Sequence, residues 1–130
     1  MSRIAIHSDQ APKAIGPYSQ AVRMGDLVFL TGQIALHPEK MELPQGIEAQ
    51  TIQVLENLQA VAHAAGGSFV DVGKLTIYLT ELSHFGVVNE IMSRYFAAPY
   101  PARATVGVSA LALNALVAID ATLVLPRMAE

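Results

Sequence analysis

Arg103 lies in Pro99-Tyr100-Pro101-Ala102-Arg103, and from Ala104 to Pro126 the only formal charge is Asp120. A guanidinium in such apolar company is costly to bury unless something anionic meets it. It keeps its proton, and its planar fork matches a carboxylate or a phosphate with two parallel hydrogen bonds. Two readings follow: a structural arginine paired with a carboxylate or backbone carbonyls, or an anchor for a small anionic substrate. A second set of polar residues sits at strand ends and loops. Tyr18 follows the stiff approach Ala14-Ile15-Gly16-Pro17, Thr31-Gly32-Gln33 ends an apolar strand, and Asn89 lies in a helical stretch. Thr105 is two residues beyond Arg103, so both share one face of a strand. Taken singly, each has a structural role: Tyr18 in the core with a wet hydroxyl, Thr31 as a strand residue, Asn89 as a helix-packing hydrogen bonder.

Other chemistries lack their residues. The chain has no cysteine, so no thiol nucleophile and no disulfide framework. His7, His37, His63 and His84 share no metal-ligand spacing. There is no Gly-rich phosphate loop and no Gly-x-Ser-x-Gly elbow. The formal net charge is −3, and the eight basic residues are scattered from Arg3 to Arg127 with no run that could track a phosphate backbone. That speaks against nucleic acid as a partner.

At 130 residues the chain is expected to form one domain spanning 1–130. A mean hydropathy of +0.39 is apolar for a small protein, and burial of part of its surface in a symmetric oligomer accounts for it. The most apolar stretch, Ala110–Leu125, is short for a membrane span and is broken by Asn114 and Asp120. The N-terminus lacks a signal-peptide apolar core, which with the absence of cysteine fits a cytoplasmic protein.

The elements that must hold these residues follow from pattern. Arg3–Ile6 reads as a short strand. Tyr18–Arg23 and Leu27–Thr31 read as a hairpin around Met24-Gly25-Asp26. Ile47–Ala65 has helical rhythm, with Ile52, Leu55, Leu58 or Gln59, Ala62 and Ala65 on the buried face, and Gly66-Gly67 stops it. Lys74–Thr80 alternates, with Leu75, Ile77 and Leu79 on one face. Ser83 is the expected N-cap of a second helix carrying Phe85, Val88, Met92 and Tyr95 or Phe96 inward. Arg103–Ser109 and Ala115–Leu125 complete the order β-β-β-α-β-α-β-β, an α+β fold with two helices on one face of a mixed sheet. The other face needs cover from a subunit partner, with Val28, Leu30 and the Leu, Val and Ile residues of the last strand as candidates.

Ala11-Pro-Lys-Ala-Ile-Gly-Pro-Tyr-Ser-Gln-Ala21, Thr31-Gly-Gln33, Leu82-Ser-His-Phe85 with Asn89, and Pro101-Ala-Arg103 together resemble the RidA (YjgF/YER057c/UK114) family nearly end to end. The resemblance implies a chorismate-mutase-like subunit and a homotrimer with three clefts between neighbours. It implies cofactor-free hydrolysis of reactive 2-imino acids and their enamine tautomers, such as 2-iminobutanoate and 2-iminopropanoate, to 2-oxo acids and ammonia. The imines would come from pyridoxal-phosphate enzymes such as threonine and serine dehydratases. By the same resemblance Arg103 holds the substrate carboxylate, and Tyr18, Thr31, Gly32, Asn89 and Thr105 line the same cleft.

The chain departs from that pattern in its last strand. Active relatives usually carry a water-orienting glutamate in Val-Glu-Ile-Glu or Val-Glu-Ile-Asp, whereas this chain reads Val117-Ala118-Ile119-Asp120, and Leu111-Ala112 stands for the usual Leu-Pro. Ala118 and Asp120 share a face but lie about 6.6 Å apart along a strand, so Asp120 is expected to play a structural part. The expectation is a deaminase of reduced activity. The alternative is a non-catalytic trimer that binds or senses a small carboxylate such as a 2-oxo acid. A ribonuclease or translation inhibitor, a label also attached to this family, fits the acidic balance least.

Overall fold

The structure is a computed structural model that describes residues 2–126. Its strands are β1 (Ile4–Ile6), β2 (Ala21–Met24), β3 (Leu27–Gln33), β4 (Val72–Leu79), β5 (Ala102–Gly107) and β6 (Val117–Val124). Helix α1 (Ile47–Ala64) lies between β3 and β4, and α2 (Phe85–Met92) between β4 and β5. The sheet order is β1-β2-β3-β6-β4-β5. Only β4 and β5 run parallel; the other neighbours are antiparallel. The crossover between the two parallel strands carries α2, as a parallel pair requires a long connection.

The β2–β3 hairpin turns at Gly25, whose φ of 63° suits a residue without Cβ. Strand β2 starts at Ala21 rather than Tyr18, because Pro17 offers no N–H and the Tyr18 amide closes a local turn onto the Gly16 carbonyl at 2.8 Å. Helix α1 ends in a paired cap: the Gly67 amide bonds the Ala62 carbonyl and the Gly66 amide that of His63, both at 3.0 Å. Gly66 takes φ 91° to allow it. Ser83 does not cap α2. It sits inside a short 3₁₀ turn, Leu82–His84, and α2 grows directly from that turn with His84 in the cap position and no side-chain cap bond.

The core lies between the helices and one sheet face. Leu75, Ile77 and Leu79 of β4 join Val117, Ile119, Ala121 and Leu123 of β6 beneath Val54, Leu55, Leu58, Val61 and Ala62 of α1 and Val88, Ile91 and Met92 of α2. The buried stripe of α1 is turned slightly from the expected one: Val54 and Val61 are fully buried and Ile52 sits at the margin. Val28 and Leu30 also belong to this core, at 0% and 4% exposure, as do Val117, Ile119 and Leu123. The expectation that they form the open face is therefore wrong by one residue, and a one-residue shift in a strand changes the face. The open face instead carries Leu27, Phe29, Val106 and Val124, each about 40–46% exposed.

Two polar staples fix the loops. Gln20, buried at 3% exposure, accepts from the Ser8 amide at 2.7 Å and donates to the carbonyls of Ser8 and Pro12 at 3.1 and 2.8 Å. Gln50 accepts from the Leu116 amide at 2.9 Å and so ties α1 to the start of β6.

Candidate active site

Arg103 sits on β5, the edge strand of the sheet. Its register partner is Leu75, so its side chain leaves the sheet on the helix side. Within one chain it is exposed, because an edge strand has no neighbour to cover it. No carboxylate meets it among the described residues. One guanidinium nitrogen donates to Asn89 Oδ1 on α2, and the guanidinium carbon lies 5.2 Å from the centroid of the Phe85 ring. A neutral amide and an aromatic face thus hold the fork without neutralising it. Leu75, Asn89, Met92, Ser93, Phe96, Tyr100, Pro101 and Arg103 enclose a cavity of about 440 Å³ here. Its walls are mostly apolar, with one cation at the rim. Thr105 lies two residues on, in register with Ile77, and its Oγ1 is buried without a hydrogen-bond partner.

Tyr18, Thr31 and Gly32 line a different cavity of about 290 Å³, with Ile15, Ile34, Leu36 and Ala112 among its walls. The Tyr18 hydroxyl accepts from the Ile15 amide at 3.3 Å, which sets the ring in place. Thr31 donates through Oγ1 to the Ser19 carbonyl at 2.6 Å, while its amide bonds the Gln20 carbonyl at 2.9 Å. Both bonds anchor the Tyr18 loop to β3. The pairing of β3 with β6 passes from Leu30↔Ala121 to Gln33↔Ile119, so Thr31 and Gly32 together face Asp120 across a bulge. The six candidate residues therefore form two groups in one chain. Arg103, Asn89 and Thr105 lie at the β5–α2 edge, and Tyr18, Thr31 and Gly32 at the β3 bulge.

The departure in the last strand has its own surroundings. Ala118 pairs with Tyr78 and Asp120 with Thr76, all on the open sheet face. Tyr78 donates its hydroxyl proton to Asp120 Oδ2 at 3.0 Å. That bond and the carboxylate charge beside it raise the phenol pKa above its ordinary value. Among the described residues no three of His, Asp and Glu converge as metal ligands.

Residue patterns alone do not reveal Phe85 or Tyr78 as neighbours of the site. Phe85 is expected on the inward stripe of its helix but is 40% exposed, because it stands at the first residue of α2 beside the sheet edge, and its contact with Arg103 spans 18 positions of sequence. The only trace of Tyr78 is its place on the outward face of an alternating strand.

The Endoribonuclease L-PSP family model matches residues 8–125. The chain belongs to the RidA family. It is 56% identical over 124 residues to Protein DfrA of Myxococcus xanthus, covering 93% of this chain and 95% of that one. It is 40% identical over 121 residues to the 2-iminobutanoate/2-iminopropanoate deaminase of Dermatophagoides farinae, covering 92% and 94%. Among solved structures, RidA from the Antarctic bacterium Psychrobacter superposes with a TM-score of 0.92 at 47% identity, covering 95% of this chain and 100% of that one. E. coli TdcF with bound serine gives a TM-score of 0.90 at 38% identity, covering 93% and 98%. The mixed six-stranded sheet with two helices is the RidA fold. No helix among the described residues is long and apolar enough to cross a membrane.

Proposed function

We propose that this protein hydrolyses reactive 2-imino acids, among them 2-iminobutanoate and 2-iminopropanoate, to 2-oxo acids and ammonia. The observation that carries the reading is Arg103: a guanidinium held by Asn89 and Phe85 at the mouth of an apolar cavity, with no carboxylate partner among the described residues. A small carboxylate with an apolar side chain fits that arrangement. The fork takes the carboxylate, the cavity takes the side chain, and the imine carbon is held for attack. Water adds to the C=N carbon, and the carbinolamine expels ammonia as the carbonyl forms. A relative named as a 2-iminobutanoate/2-iminopropanoate deaminase, and one solved with bound serine, support a small amino- or imino-acid ligand.

The two residue groups come together when the β5–α2 edge of one copy meets the β3 bulge of the next. In a homotrimer each cleft would then hold Arg103, Asn89 and Thr105 from one subunit and Tyr18, Thr31 and Gly32 from its neighbour. The exposed apolar sheet face supports such an assembly. Ala118 favours a second reading, in which the clefts bind a small carboxylate without turning it over.

The test couples a threonine dehydratase to this protein and follows 2-oxobutanoate release under semicarbazide competition. Wild type is expected to accelerate release and Arg103→Ala to lose the effect. Full activity in Arg103→Ala means the site is wrong. Binding of 2-oxobutanoate by calorimetry, dependent on Arg103 but without turnover, selects the second reading.

A further inference from the structure

We infer that Tyr78 and Asp120 form the proton-handling pair of the cleft, with the Tyr78 hydroxyl orienting the attacking water and Asp120 receiving its proton. This rests on the imine-hydrolase reading and deepens it. Asp120 is the one carboxylate on the open face of the described strands, and it lies against the bulge formed by Thr31 and Gly32. A Cβ at Gly32 would stand 3.9 Å from Asp120 Cβ, so the carboxylate adjoins the residues that line the Tyr18 cavity. Tyr78 donates to Asp120 Oδ2, and its cross-strand neighbour is Ala118, whose methyl group offers nothing polar to compete for the phenol. Thr76, two residues away on the same face, also hydrogen-bonds the phenol oxygen, and of that oxygen's two lone pairs one is left for a water.

The step balances without any further reagent. As the water oxygen bonds to the imine carbon, one water proton passes to the phenol oxygen while the phenol proton passes to Asp120. Asp120 returns that proton by the same path to the nitrogen, which gives the neutral carbinolamine. The pair then takes the carbinolamine hydroxyl proton and delivers it to the nitrogen, so that the C=O bond forms, the C–N bond breaks and ammonia leaves. Tyr78 touches the reacting water and is the catalytic residue, whereas Asp120 acts through it.

The experiment measures kcat and KM for 2-iminobutanoate, and the affinity for 2-oxobutanoate, in wild type, Tyr78→Phe, Asp120→Asn and Tyr78→Phe/Ala118→Glu. Tyr78→Phe removes one hydroxyl and keeps the ring, so folding and assembly are checked by thermal melting and sedimentation rather than assumed. The expected result is a kcat about 10²-fold lower in Tyr78→Phe, at the lower end of the range for proton-transfer catalysis. KM and 2-oxobutanoate affinity should stay unchanged, and kcat should partly recover in the Ala118→Glu double variant. An unimpaired kcat in a folded Tyr78→Phe overturns the inference and leaves the imine-hydrolase reading standing. A fall in 2-oxobutanoate affinity that matches the fall in kcat also overturns it, because the pair would then only shape the cleft. A wild type that hydrolyses no imine overturns the reading beneath it.

Discussion

In the proposed function Arg103 is the ligand anchor, and its partners Asn89 and Phe85 carry no charge to pair with its own. Ionic partners would lock the guanidinium and neutralise it, whereas an amide oxygen and an aromatic face orient it and leave its charge available. Arg103→Lys keeps the charge but loses the fork. If a bidentate carboxylate contact is made there, kcat/KM should fall about 10–100-fold, the equivalent of one charge-assisted hydrogen bond. Asn89→Ala frees the fork without touching its charge. It should raise KM more than it lowers kcat, read from steady-state kinetics at fixed salt. Arg103 as a candidate is legible in sequence, because an isolated cation amid apolar residues stands out. Its exposure is not, because whether a strand lies at a sheet edge depends on pairing order and leaves no mark on its own residues.

At the scale of elements, turns and alternation are local and therefore readable. The cap of α1 is an example: Gly66 holds φ 91° so that its amide and that of Gly67 can close the helix end. Gly66→Ala should destabilise the fold by about 1–2 kcal/mol, the usual cost of left-handed backbone with a Cβ, as measured by chemical denaturation. The succession of strands and helices along the chain and the stop at Gly66 follow from such local signals. The face of each strand is harder. Val28-Phe29-Leu30 is apolar throughout, so alternation carries no sign and only the register with β6 decides which side chains enter the core. The α1–α2 contact gives a second test. Tyr95, just beyond α2, donates to Glu56 of α1 at 2.8 Å. Burial, helped by that hydrogen bond and the carboxylate charge, pushes its pKa up to about 12. The folded state therefore holds the phenol proton more tightly than the unfolded chain, whose phenols ionise near 10. Its stabilising effect is complete below about pH 10 and is lost as pH rises from there through about 12. Tyr95→Phe should flatten that alkaline decline, read from thermal melting across the range.

At the scale of the molecule, one sheet face is a core and the other has the composition of an interface. Leu27 and Phe29 of β3, Val124 of β6 and Val106 of β5 stand about 40–46% exposed on that second face. An apolar surface of this kind is costly to leave in water and is the mark of association. The same assembly would join the two residue groups, so structure and activity should be lost together. Phe29→Asp places a charge at the centre of β3's open face without removing any core side chain, since Phe29 lies outside the core cluster. Burying an unpaired carboxylate in an interface carries a large desolvation cost, whereas at a solvent-exposed monomer surface it carries little. If the proposed assembly forms, the expected outcome is a folded protein with normal helical content, a sedimentation mass reduced to that of one chain, and no imine hydrolysis even though Arg103, Asn89 and Phe85 are intact. A monomeric Phe29→Asp that retains full activity would place both residue groups in the service of a single chain and remove the need for a shared cleft.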